Sequence, residues 1–248
     1  MKTHVPALAV AALTLLTAPL AHAGDDAPVM SATVDVDGDG KQEAVSLEWR
    51  EGEDPSPYVL KVGSATLRGS GKDFQVSGFT VVDLDASDRR KELAVHTGTT
   101  DVDARTDLFS YDGKKLKALG SVPKLTEVKG NGIILSDQWQ GFWNQRDKFT
   151  YDAKAGRVTE VPQELYYVGS VEAKVRESFP ITYGRADKKV VANLAVGSTI
   201  QVLAGAIVAS RRNAYRDFVY LVKSSTGLLG WVDGAVLMNK TEGLPLAG

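Results

Sequence analysis

The stretch VDVDGDGKQEAVSL, residues 34–47, decides how this chain is read. Apolar and polar residues alternate on both sides of a nine-residue acidic segment, and that period of two marks half-buried β-strands entering and leaving a tight loop. The pattern returns 48 positions later as VDLDASDRRKELAV, residues 82–95. A strand, an acidic loop and a second strand recurring at this period predict the blade-like units of a partial or distorted β-propeller. A third unit is expected at roughly residues 108–161, where YDGKKLKALG and FTYDAKAGRVTEV have the form of blade hairpins without an acidic loop. Three units are fewer than the four or more that usually close a ring, so an open array with protected edges follows.

The same alternation runs through Tyr58-Val59-Leu60-Lys61-Val62, Leu93-Ala94-Val95 and Lys148-Phe149-Thr150-Tyr151, with turn signals at Asp112-Gly113, Asn131-Gly132 and Ala155-Gly156 between the runs. No long window carries a helical stripe, so the fold class is all-β. Near residues 166–169 the pattern shifts to short strands with glycine turns at Gly197 and Gly227, over a length suited to a small barrel. The expected organisation is a leader at 1–23, a repeat domain at 24–168, a small SH3-like barrel at 169–240 and a flexible tail at 241–248.

The leader reading rests on Lys2, the apolar run at residues 5–20 and the small-residue site Ala21-His22-Ala23, the pattern of a secretory signal peptide. The mature chain is therefore expected to be exported, either periplasmic or extracellular. No later run reaches the roughly eighteen apolar residues of a membrane helix. The absence of cysteine excludes disulfides and thiol catalysis, and a formal net charge of −2 gives no reason to expect a nucleic acid partner. Of three histidines, His4 and His22 leave with the leader. Only His96 remains, and its alternating context reads as a strand histidine before a general base.

The acidic loops are candidate Ca2+ sites. Calcium takes six to eight oxygens, and alternating carboxylates around glycines can supply them from a short loop. Asp35, Asp37 and Asp39 stand at positions one, three and five, Lys41 offers its carbonyl at seven, and Glu43 closes at nine. Position twelve is Ser46 and both flanks are strands, which excludes an EF-hand. The alternative is a solvated Asp-Gly turn, although four crowded carboxylates repel one another unless a cation compensates. In the second loop Asp83, Asp85, Asp88 and Glu92 can converge with the Arg90 carbonyl, but Arg89, Arg90 and Lys91 can also neutralise these acids unaided.

DVDGDGKQE with a strand on each side resembles the FG-GAP or integrin-alpha calcium repeat, also found in secreted VCBS-like bacterial proteins. DLDASDRRKE resembles the longer loop of bacterial relatives, and YDGKKLKALG their blade hairpin. The resemblance covers residues 32–161 and implies calcium ligation by the two sets of residues just named. Residues 190–194, 196–203 and 226–232 resemble a bacterial SH3-type barrel, with LysValArgGluSerPhePro at 174–180 replacing that family's usual AsnValArgSerGlyPro opening. Such barrels often bind peptidoglycan peptides or other envelope partners.

Tyr183, Tyr215, Tyr220 and Trp231 are the candidate ligand-binding aromatics, with core packing the alternative for Tyr220, Phe218 and Trp231. Trp139, Phe142 and Trp143 read either as a recognition loop or as a cover on the third unit's core. The basic run at residues 210–216 reads as a solvated loop. Two functions follow. One is a non-catalytic, calcium-stabilised binding or scaffold protein whose barrel docks on peptidoglycan or an envelope protein. The other is a carboxylate-dependent hydrolase using Asp101, Asp103, Asp107 or Asp137.

Overall fold

The computed structural model describes residues 27–52, 56–71, 75–101, 103–208 and 217–246. The expected leader at 1–23, Tyr215 and the basic run at 210–216 lie outside the described residues. The chain is all-β, as the alternation predicts, and forms three four-stranded antiparallel sheets followed by one of seven strands. The first sheet holds β1 (Ser31–Val34), β2 (Glu43–Trp49), β3 (Pro57–Val62) and β4 (Ala65–Ser70). The second holds β5 (Val76–Val82), β6 (Glu92–Thr97), β7 (Arg105–Tyr111) and β8 (Leu116–Val122). The third holds β9 (Leu125–Val128), β10 (Ile133–Trp139), β11 (Asn144–Asp152) and β12 (Arg157–Val161). Each is a simple meander with neighbours in chain order, the strand number and order of a propeller blade.

The third unit starts later than the sequence suggests. Residues 108–117 form the β7–β8 hairpin of the second sheet, because that meander needs two more strands after its acidic hairpin to reach four.

Period two decides how the meanders stack. In β6, Leu93 and Val95 point into a seam shared with Leu47, Leu60, Val62 and Phe79, while Ala94 between them joins Leu108, Ile134 and Phe149 in a second seam. The middle sheet is thus buried on both faces. Each fully buried side chain of this kind contributes about 1.5–3 kcal/mol. The outer face of the first sheet carries Ser46, Glu48, Lys61 and Arg68, with Lys61 Nζ 2.5 Å from Glu48 Oε1. On the third sheet's outer face Arg146 forms a two-pronged pair with Asp137 at 2.8 and 2.7 Å. Polar outer faces let a stack of units end in water, as terminal repeats of other arrays do.

The last sheet has the order β15-β14-β18-β17-β16-β13-β19 and curls into a half-barrel. Its strands are β13 (Tyr166–Val175), β14 (Phe179–Thr182), β15 (Val190–Leu194), β16 (Thr199–Val208), β17 (Asp217–Ser224), β18 (Leu229–Asp233) and β19 (Thr241–Glu242). A short helix, α1 (Gly234–Lys240), is capped by Asp233, whose carboxylate accepts from the Ala235 amide at 2.9 Å. It buries Leu237 in a core with Val175, Ile181, Ile200, Val202 and Val222.

Two expectations need correction here. The boundary at 169 falls inside β13, whose Tyr166 already pairs with Gly205 of β16 across a bulge containing Ser170 at φ 57°. The tail at 241–248 is held at its start, because Thr241 and Glu242 pair with Val175 and Lys174, and Thr241 Oγ1 donates to the Leu237 carbonyl at 2.8 Å.

Neither expectation for Phe142 and Trp143 matches their position. Both are buried in the core of the half-barrel. Trp143 packs edge-on to Phe218, centroids 5.3 Å apart, and donates its indole N–H to the Tyr220 hydroxyl at 3.2 Å. The β10–β11 turn therefore plugs the third meander into the last sheet. Gln140, Gln145, Asp147 and Tyr166 extend this seam as a hydrogen-bonded chain.

Candidate functional site

The acidic loops lie side by side because they join equivalent strands of stacked meanders. The second loop residue has the same role in both. Val36 and Leu84 are fully buried, and their amides donate to Glu43 Oε2 at 2.8 Å and Glu92 Oε2 at 2.9 Å. Their carbonyls accept from the next unit, Val36 from the Lys91 amide at 2.9 Å and Leu84 from the Gly132 amide at 2.8 Å. The glutamate closing each loop is thus a staple across its base, and the buried residue beside it ties one meander to the next. Gly38, at φ 77°, lies so close to the second loop that a Cβ would fall 2.8 Å from Arg89 Cβ.

In the first loop Asp35, Asp37 and Asp39 bring one carboxylate oxygen each within 4.8 Å of one another, and among the described residues they are the group of three acids that does so. Asp35 accepts from the Gly38 and Gly40 amides at 2.8 and 2.9 Å, which folds the loop over its own first residue. Asp39 accepts from the Lys41 amide at 2.7 Å, and this bond, with the Lys41 ammonium at 3.3 Å, holds its carboxyl below the usual range. Burial, then the charges of Glu43, Asp37 and Asp112, raise the Tyr111 phenol beside this loop. Three carboxylate oxygens so placed could hold a metal ion.

The second loop is differently balanced. Lys91 Nζ bonds to Asp83 Oδ2, while Asp83 Oδ1 is buried without a hydrogen-bond partner. Asp85 turns to the amide and hydroxyl of Ser87, and Asp88 to the Arg90 amide. Burial pushes Glu92 up to about 7, assisted by Asp88 and Asp83 and opposed by the Leu84 amide. Among the described residues the second loop does not bring three acids together as the first does.

The candidate aromatics separate. Tyr220 is buried against Trp143 and Phe142, so it cannot line a groove, which corrects its assignment. Trp231 is half-buried on the outward face of β18 and pairs with Thr182 of β14, and Tyr183 follows, 73% exposed. The Arg185 guanidinium lies over the Trp231 ring at 5.6 Å and bonds to Glu164. Leu229 and Val190 extend this face and are exposed. Gly230, between Leu229 and Trp231, faces inward, where any Cβ would meet Ile181 at 2.8 Å. Arg185 has no signal of its own in the sequence, since nothing local marks a loop cation stacked on a tryptophan of a distant strand.

The four aspartates of the hydrolase reading are each engaged separately. Asp101 pairs with Lys124 at 2.6 Å, Asp103 accepts from Thr100 Oγ1 at 2.8 Å, and Asp137 holds Arg146. Asp107 accepts from Arg105 Nε and from the Tyr58 hydroxyl, both at 2.8 Å, and burial with the charge of Asp107 raises that phenol. His96 stands in a row with Thr80 and Thr106 at the end of the second sheet away from the acidic loops. Burial lowers it to about 4, which leaves it neutral at ordinary pH. Among the described residues no helix is long and apolar enough to cross a membrane. No family model, no curated protein and no solved structure matches this chain.

Proposed function

We propose that this chain is a non-catalytic, exported binding or scaffold protein, whose first acidic loop takes calcium to steady the stacked meanders while the outward face of the last sheet receives peptidoglycan or an envelope protein. The observation that carries the reading is the face of exposed Tyr183, half-buried Trp231 and the Arg185 cation over it, on strands whose opposite face is filled by Ile181 and Val232. A rigid backing matters because aromatic anchors contribute most where they are ordered before binding. Asp35, Asp37 and Asp39 would hold the ion, with Glu43 and the Lys41 carbonyl completing the set; calcium would offset the repulsion among these carboxylates.

Co-sedimentation of the full chain with purified peptidoglycan tests the proposal. A fragment starting at residue 169 is unsuitable, since it cuts β13 and removes Phe142 and Trp143 from the core. Retention that falls in Trp231→Ala and Tyr183→Ala supports the reading. If the wild-type chain stays in solution, the wall-binding form is wrong; if both variants bind like wild type, the face is misassigned.

A further inference from the structure

A cleft of about 330 Å³ opens on the second sheet at the end opposite the acidic loops. Val82 and Leu125 give it an apolar floor, and its most ordered polar feature is the row Thr80, His96, Thr106. Thr80 Oγ1 lies 2.8 Å from His96 Nε2, and Thr106 Oγ1 lies 3.2 Å from His96 Nδ1. Thr106 Oγ1 also accepts from the Leu125 amide at 3.2 Å. The charges near the rim are matched, Lys124 with Asp101 and Arg105 with Asp107, so the cleft carries no net charge to select an ion. Its volume lies at the low end of the roughly 300–1,000 Å³ of ligand pockets.

Counting protons shows what the row offers. A neutral imidazole has one N–H and the two threonines have one O–H each, and the two internal hydrogen bonds use two of these three protons. One hydroxyl proton is left over. With the proton on Nε2, Thr106 donates to Nδ1 and the Thr80 hydroxyl is free to donate outward. With the proton on Nδ1, Thr80 donates to Nε2 and the free proton belongs to Thr106. Thr106 is buried, so the row meets the cleft through Thr80, whose hydroxyl donates outward in the first state and offers only lone pairs in the second. An amide carbonyl or N–H complements only one of these states, whereas a hydroxyl, donor and acceptor at once, complements both.

We propose that this cleft is a binding site for a small neutral polyol, a mono- or disaccharide, read by the Thr80, His96, Thr106 row and seated on the Val82, Leu125 floor. The surrounding hydroxyls of Ser77 and Thr99 suit the same chemistry. The site is independent of the Trp231 face and of the acidic loops.

His96 reports on it directly, because no other histidine follows the leader. The experiment is NMR titration of the tag-free mature chain, labelled on histidine, with glucose, maltose and glucuronate. The expected result is a saturable millimolar shift of the His96 ring carbon and both ring nitrogens with glucose or maltose, and no tighter binding of glucuronate. Thr80→Val, which keeps the shape and removes the hydroxyl, is expected to weaken binding about tenfold, one lost hydrogen bond. Thr80→Ser is expected to retain it. The proposal is overturned if neither neutral sugar shifts His96, if Thr80→Val binds as wild type does, or if glucuronate binds tenfold tighter than glucose.

Discussion

Replacing Trp143 with alanine removes the largest side chain joining the meanders to the half-barrel. The ring is 4% exposed and packs on Tyr166, Phe218 and Tyr220 at centroid distances of 6.3, 5.3 and 6.4 Å. A buried Trp→Ala change costs about 3–5 kcal/mol, the upper end applying where neighbours cannot collapse. Three surrounding aromatic rings and Gly205, whose Cα side faces the indole, resist collapse, so the expected loss is about 4 kcal/mol. For a chain of this size that lowers the melting temperature by roughly 8–16 °C. Calorimetry is expected to show one transition in wild type and an earlier half-barrel transition in Trp143→Ala, since the variant uncouples the two parts. Trp143→Phe keeps the ring and loses the bond to Tyr220, for about 1 kcal/mol. A loss below about 1 kcal/mol in Trp143→Ala would refute the plug.

Calcium at about 1 mM, for a loop of about 10⁻⁴ M affinity, adds about 1.4 kcal/mol and raises the melting temperature by roughly 3–6 °C. Asp37→Asn is expected to abolish that rise in a thermal melt, and no rise in wild type removes calcium from the account. Glu92 binds its proton more tightly folded, at about 7, than its ordinary 4.5. Stability is therefore greatest below pH 4.5 for this group and is lost as pH rises through 7, by up to about 3 kcal/mol. Urea unfolding across that window is expected to show the decline in wild type and a flatter profile in Glu92→Gln; a rise with pH through Glu92 contradicts the burial argument. Glu43→Ala removes the Val36 staple and costs about 1.5–3 kcal/mol by the same assay, with Glu43→Gln milder.

Most of the first half was legible because period two and the acidic hairpin are local signals. Leu93, Ala94 and Val95 even carry the two-sided burial of the middle sheet in three letters. The start of the third unit is hidden because its equivalent loop, Lys129-Gly130-Asn131-Gly132, has no carboxylates, whereas Tyr111-Asp112-Gly113 carries a strong hairpin-turn signal within the second sheet. Tyr220 was readable in principle. Phe218, Tyr220 and Val222 share one face of β17 by alternation, and all three are in the core. The destination of Trp143 was not, since Phe218 and Tyr220 lie more than seventy residues away and nothing local announces a contact at that distance. The threonine, histidine, threonine row has the same character: each residue sits on its own strand, and only the register of β5, β6 and β7 brings them together.

In the proposed function, recognition falls to the outward face of the last sheet and shape-holding to the acidic loops. Hydrogen–deuterium exchange of the calcium-loaded full chain, with and without a soluble peptidoglycan digest, separates these roles most directly. Added protection is expected in β14, β18 and the segment from Tyr183 to Arg185, with the segment between β1 and β2 unchanged. Protection confined to residues 35–43, or spread evenly over the chain, contradicts it.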